Sequence, residues 1–216
     1  MRQVLACLVI LSVAALAPAL ADDAADGEAL LQRFLDEVET LEGSFEQSVI
    51  DADGGVLDVS SGSLKIARPG RFRWGTAEPY EQWLIADGRN VWSYDVDLAQ
   101  VTVKPQSDAL SNTPALLLGG GADALDEFVV DGTSSDSAIT WVRLTPRDTS
   151  SGFRRVELGF SGGELARMVF LDNLEQQTVV ILSGLTVNGA VKDSEFEFVV
   201  PDDVDVVGTP AVASAP

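Results

Sequence analysis

The feature that most constrains this chain is a long succession of short runs in which one face of an extended backbone repeats at every second residue. Phe45/Gln47/Val49, Leu64/Ile66, Phe72/Trp74, Trp83/Ile85, Trp92/Tyr94 and Val101/Val103 follow this habit in the first half. Thr140/Val142/Leu144, Val156/Leu158/Phe160, Met168/Phe170, Val180/Leu182 and Phe196/Phe198 repeat it in the second. Period two turns one strand face to a core and the other to solvent. Asp53-Gly54-Gly55, Pro69-Gly70, Glu78-Pro79, Asp87-Gly88, Lys104-Pro105, Ser161-Gly162-Gly163 and Asn188-Gly189 separate the runs as turns. About ten antiparallel strands joined by short turns predict one large curved sheet or barrel. No fixed repeat and no linker divides it.

Two segments break the alternation. Over residues 28–41, Leu30, Leu31, Phe34, Leu35, Val38 and Leu41 fall at helical spacing with acids opposite, which predicts one amphipathic helix. Asn112-Thr113-Pro114 begins with a capping residue and a proline at the first helical position, and the apolar run Ala115–Leu118 ends on Gly119-Gly120-Gly121. Residues 122–128 suit a second short helix. A glycine-bounded apolar helix between strand runs suits a cover over the mouth of a barrel, or an ordinary packed connection; the pattern alone leaves both open.

The first residues are a targeting signal. Met1-Arg2-Gln3 supplies one positive charge, Val4–Ala17 a short apolar core, and Ala19-Leu20-Ala21 a small-x-small end, so cleavage is expected after Ala21. The apolar stretch is too short to span a bilayer. The single cysteine, Cys7, precedes most of that core and does not fit a lipidation site. Residues 22–207 are therefore expected to form one soluble domain without thiol, disulfide or lipid anchor, followed by a disordered small-residue tail at 208–216.

Composition removes whole classes of chemistry. The 216 residues contain no histidine, which takes away the commonest general base and metal ligand near neutral pH. With no mature thiol, Ser-His and Cys-His catalysis and His- or Cys-based zinc sites are excluded. Fourteen basic against 34 acidic side chains give a net charge of −20, one unit more negative once the leader is removed. That balance opposes a nucleic-acid partner and a resting place on anionic lipid. Asp51-x-Asp53-Gly54 matches the start of a calcium loop but lacks its later ligands, and reads as a solvated turn. Asp202, Asp203 and Asp205 have no partner base and read as surface charge. No cofactor, metal or catalytic set is expected. An acid-dependent hydrolase built on paired carboxylates stays as an alternative.

What remains is aromatic strand faces beside arginine, in Arg68-Pro69-Gly70-Arg71-Phe72-Arg73-Trp74. Phe72 and Trp74 point one way and Arg71 and Arg73 the other. Arg68 precedes a proline, which holds it in extended or turn backbone at a strand end, a rim position.

Along nearly the whole mature chain the sequence resembles the LolA family of outer-membrane lipoprotein carriers. The matching pieces are Gly43-Ser44-Phe45-x-Gln47, then Gly62-x-Leu64-x-Ile66-x-Arg68-Pro69-x-x-Phe72-x-Trp74. Ile85-x-Asp87-Gly88-x-x-Val91-Trp92-x-Tyr94-Asp95, Gln100-x-Thr102 and Asn112-Thr113-Pro114 follow. Asn188-Gly189-x-Val191 and Phe196-x-Phe198-x-x-Pro201 complete the set.

The resemblance implies a mainly β fold with short helices, an incomplete, unclosed antiparallel β-barrel under an α-helical lid. It implies a monomeric, non-enzymatic periplasmic chaperone whose interior takes the acyl chains of triacylated lipoproteins. Cargo would arrive from an inner-membrane ABC-type release complex and pass to an outer-membrane lipoprotein receptor. The family's lid-contacting arginine falls on Arg68, its cavity phenylalanine on Phe72, and its lid on Pro114–Leu118. The expected acyl-chain and lid residues are Arg68, Phe72, Trp74, Trp83, Trp92, Leu116 and Leu117. A receptor of the same fold would need a cysteine where Asp22 stands. A generic periplasmic lipid binder would need the same cavity and remains the alternative hardest to separate.

Overall fold

A computed structural model describes residues 22–106, 118–120, 126–136, 138–148 and 151–211, with side chains from Gly27 onward. Its first element is helix α1 (Asp22–Glu37). The strands are β1 (Thr40–Ile50), β2 (Val56–Ala67), β3 (Arg71–Glu78), β4 (Gln82–Asp87), β5 (Asn90–Asp95) and β6 (Gln100–Pro105). Then come β7 (Phe128–Asp136), β8 (Ile139–Pro146), β9 (Phe153–Ser161), β10 (Glu164–Asp172), β11 (Gln177–Val187) and β12 (Asp205–Gly208). All twelve lie in one sheet, ordered β12-β6-β5-β4-β3-β2-β1-β11-β10-β9-β8-β7. Among the described residues the two ends of that order do not pair, so the sheet curves without closing.

Alternation explains which face is covered. Phe72 lies opposite Ile66 and Ala86, and Trp74 opposite Leu64 and Leu84, so all six share a face. In the other half Val142, Leu158, Met168 and Val180 line up across β8, β9, β10 and β11. Leu31, Phe34 and Leu35 of α1 join these residues in one buried cluster, with the Phe34 ring edge-on to Phe160 at 6.0 Å. Each such side chain contributes about 1.5–3 kcal/mol by leaving water.

Several expectations are corrected. The helix ends at Glu37, and Leu41 belongs to β1, opposite Ile66. The side chain of Asn188 sets that boundary: its Nδ2 donates to Glu37 O at 2.8 Å, and its Oδ1 accepts from Glu39 N at 2.8 Å. Phe196 and Phe198 are not a strand. They follow the 3-10 turn Asp193–Glu195 in an extended arm. Phe128 opens β7 rather than closing a helix; of the rest of the expected second helix, Asp126 and Glu127 lie in a 3-10 turn and residues 122–125 lie outside the described residues. The sheet is not wholly antiparallel, because β12 runs parallel to β6. The expected tail, 208–216, is described as far as Ala211. Gly208 ends β12, and Ala211 N donates to Asn90 Oδ1 at 2.7 Å. The expected leader, residues 1–21, and the last residues, 212–216, lie outside the described residues.

Candidate functional site

Arg68 stands where β2 ends and turns toward β3, with its guanidinium under two other elements. Nε donates to Leu118 O at 3.0 Å. Nη1 is shared among Phe34 O, Leu35 O and Val38 O at 2.8, 3.1 and 3.0 Å. Helix α1 has no basic residue in its last turn. Arg68 therefore supplies, from 30 or more residues away, the cation that a helix C-terminus favours. Its Cζ also lies 4.6 Å from the centre of the Phe34 ring. Burial lowers its pKa from the ordinary arginine value to about 10, so it stays cationic at neutral pH. Nη2 is buried without a partner among the described residues.

The backbone that Arg68 holds covers the apolar face. Leu118 is fully buried in the same cluster as Phe72. A Cβ at Gly119 would come within 3.1 Å of Phe72 Cδ1, so a side chain there would need the ring to give way by a few tenths of an ångström. Gly119 O accepts from Gly70 N at 2.9 Å. Below it Trp74 stacks on Phe45, ring centres 4.1 Å apart. Among the described residues the chemistry is a curved apolar face, a backbone segment across it, and one charged fork joining that segment to α1. No group of acidic side chains there could hold a metal ion, and no helix is long and apolar enough to cross a membrane.

Residues 36–199 match the family described as outer membrane lipoprotein carrier protein LolA. The chain is 39% identical over 207 residues to an outer-membrane lipoprotein carrier protein of Bordetella avium, covering 95% of this chain and 98% of that one. It is 40% identical to one of Hahella chejuensis (93% and 97% covered) and 39% identical to one of Methylobacillus flagellatus (85% and 90% covered). The chain belongs to the LolA family. Its fold is also similar to that of an uncharacterized conserved protein from Thermus thermophilus, with a TM-score of 0.52 at 15% identity, covering 84% of this chain and 98% of that one.

Within this LolA-family chain the expected site residues divide. Arg68, Phe72 and Trp74 come together as described. Leu116 and Leu117 lie outside the described residues, as does the expected lid up to Leu118. Trp83 and Trp92 are placed elsewhere. Trp83 lies opposite Gly75, and Trp92 opposite Ile85 and Val103, so both occupy the face away from Phe72. There Arg73 stacks over Trp83 at 4.2 Å, and Trp92 and Tyr94 meet Phe198 at 5.5 and 5.9 Å. Buried Ile85, Val101, Val103 and Phe196 complete a second, smaller core under the C-terminal arm.

Sequence reasoning missed the carbonyls of α1 as partners of Arg68. It also missed Asn188 as the clasp of α1 and β1, and Gly70 as a donor to Gly119. Asn188-Gly189 and Pro69-Gly70 were visible as turns and as pieces of the family match; nothing local says what their polar groups reach.

Proposed function

We propose that this chain is a periplasmic carrier that holds the acyl chains of triacylated lipoproteins against the face lined by Phe72, Trp74 and Phe45, and delivers them to the outer membrane. The observation that carries this reading is the Arg68 guanidinium bound at once to Leu118 and to the end of α1, over a buried apolar face, in a chain of the carrier family. Each methylene withdrawn from water contributes about 0.8 kcal/mol, so several acyl chains would bind too tightly to leave unaided. Hydrogen bonds that form only in the closed, empty protein oppose that binding and ease release to a receptor. An inner-membrane ABC-type complex as donor and an outer-membrane lipoprotein receptor as acceptor suit such a cycle. No step of it calls for a catalytic group.

The test is native mass spectrometry of the mature protein isolated by tag from the periplasm. A mass increment matching a triacylated lipoprotein is the expected result. Free phospholipid or fatty acid as the sole cargo would replace the carrier with a generic lipid binder.

A further inference from the structure

The clasp between α1 and β1 contains a reactive pair. Asn188 leaves β11 and is followed directly by Gly189. Asn188 Oδ1 accepts from the backbone N–H groups of Glu39 and Thr40 at 2.8 and 3.3 Å, and Nδ2 donates to Glu37 O at 2.8 Å. The backbone N–H of Asn188 donates to Thr40 O at 2.8 Å, and Gly189 O accepts from Thr40 Oγ1 at 2.8 Å. Asn188 itself is exposed, with φ +55, so water reaches its amide. Asparagine amides are thermolabile, and a following glycine has no Cβ to keep its nitrogen away from the amide carbon. What opposes reaction here is the clasp, whose three side-chain hydrogen bonds hold the amide against the turn from α1 to β1.

We infer that Asn188-Gly189 is a site of spontaneous deamidation, shielded while the end of α1 is docked, and that the product cannot restore the clasp. In the reaction Gly189 N attacks Asn188 Cγ. The new N–C bond closes a cyclic imide, the Cγ–Nδ2 bond breaks, and Nδ2 leaves as ammonia with the proton from Gly189 N. Water then opens the imide at either carbonyl, giving aspartate or isoaspartate. Swinging Cγ toward Gly189 N requires the bonds to Glu37, Glu39 and Thr40 to break. The rate therefore follows the fraction of molecules in which this turn has come away. The product carboxylate accepts hydrogen bonds but donates none, so Glu37 O loses its partner and faces a negative charge instead. Helix α1 ends there with no basic residue in its last turn, among Asp36, Glu37 and Glu39. A further carboxylate is thus placed where a helix C-terminus disfavours it. Isoaspartate also inserts an extra carbon into the backbone of the turn. Each conversion weakens the hold on α1 and none reverses it, so the site records how long α1 has been free.

The experiment is peptide mapping of the purified protein, without cargo, aged in mildly alkaline buffer with and without urea. Conversion at Asn188 should be slower in the folded protein by about tenfold or more, the factor expected when several hydrogen bonds must open first. Thr40→Val keeps the shape of the side chain and removes the bond to Gly189 O. It should quicken conversion in the folded protein by about two- to tenfold, the range for one neutral hydrogen bond. Equal rates in folded and urea-unfolded protein, or no conversion in either, overturn the site. Asn188→Asp supplies the aspartate product directly. Hydrogen exchange over Phe34–Thr40 should then quicken by about two- to tenfold, while β9 and β10 do not change. If that variant does not fold, the converted fraction of aged wild-type protein, separated by its extra negative charge, serves instead. Unchanged exchange over Phe34–Thr40 in the converted protein overturns the claim that deamidation frees α1.

Discussion

At the scale of single residues, Arg68 and Phe72 bear most of the proposed mechanism. Arg68→Leu removes four carbonyl contacts from the closed form while leaving the face apolar. Charged hydrogen bonds contribute about 1.5–3 kcal/mol each, and the ratio of open to closed protein shifts about tenfold per 1.4 kcal/mol. The expected variant folds, loads lipoprotein and hands it on poorly, with loading and transfer measured separately. Arg68→Lys should recover little, because an ammonium lacks the fork that serves Leu118 and α1 together. Failure to load with normal release would instead make Arg68 part of a docking surface. Phe72→Glu places a carboxylate under Gly119 and should weaken retention of an apolar dye or lipoprotein; a folded variant with unchanged retention would remove Phe72 from the site. Arg68 was legible because Pro69 marks a strand end, and Phe72 and Trp74 because they alternate with arginines. Trp83 and Trp92 alternate just as clearly with their neighbours. Which face each pair takes depends on the register with β3 and β5, which no local pattern carries.

At the scale of elements, the C-terminal arm is the part the sequence hid best. Its phenylalanines alternate as a strand would, yet neither pairs in the sheet: Phe198 meets Trp92 and Tyr94, and Phe196 lies beneath Arg71. The arm is held by charge as well as by packing: Lys65 meets Glu195 at 2.9 Å and Glu42 at 3.4 Å, and Arg71 pairs with Asp193 and lies over Phe196. Phe196 is 1% exposed, so Phe196→Ala should destabilise the protein by about 3–5 kcal/mol. A lowered denaturation midpoint with changed Trp92 fluorescence is the expected observation. A change under 1 kcal/mol would mean that the arm contributes little to the fold. The succession of strands was legible because each depends on local alternation. The helix end and the arm were not, since Asn188 and the row of Lys65, Arg71 and Arg73 act across the sheet.

At the scale of the whole molecule, an excess of acids surrounds these few cations, and pH should act on the arm first. The backbone N–H of Lys192 and the ammonium of Lys65 lower the Glu195 pKa, while the hydrogen bond to Glu195 raises that of Lys65. A depressed carboxylate stabilises the fold above its ordinary value and loses that contribution as pH falls through its lower folded value, below the usual glutamate range. Lys65 stays charged throughout that range, so the loss belongs to the acid. Acidification should therefore quicken exchange over residues 192–198 before the strands β8–β10 respond. Simultaneous loss of both would show that the arm and sheet unfold as one. Asp87 adds to the same trend: burial pushes its pKa up, but hydrogen bonds from Trp92, Asn90 and Arg89 outweigh this and leave it lowered.

The unpaired ends of the sheet, β12 and β7, have a mechanical consequence. In a closed cylinder the girth is fixed by strand number and shear, and a wider interior would require breaking a seam. Here, among the described residues, no seam joins the last strand to the first. The wall can uncurl slightly at every strand, through twist alone, and keep all its backbone ladders intact. Capacity is then set by what bridges the gap, not by the wall. Under the proposed carrier function, a molecule built this way would act as a clip with spring in it, gripping fatty chains of unequal length and number with one sequence.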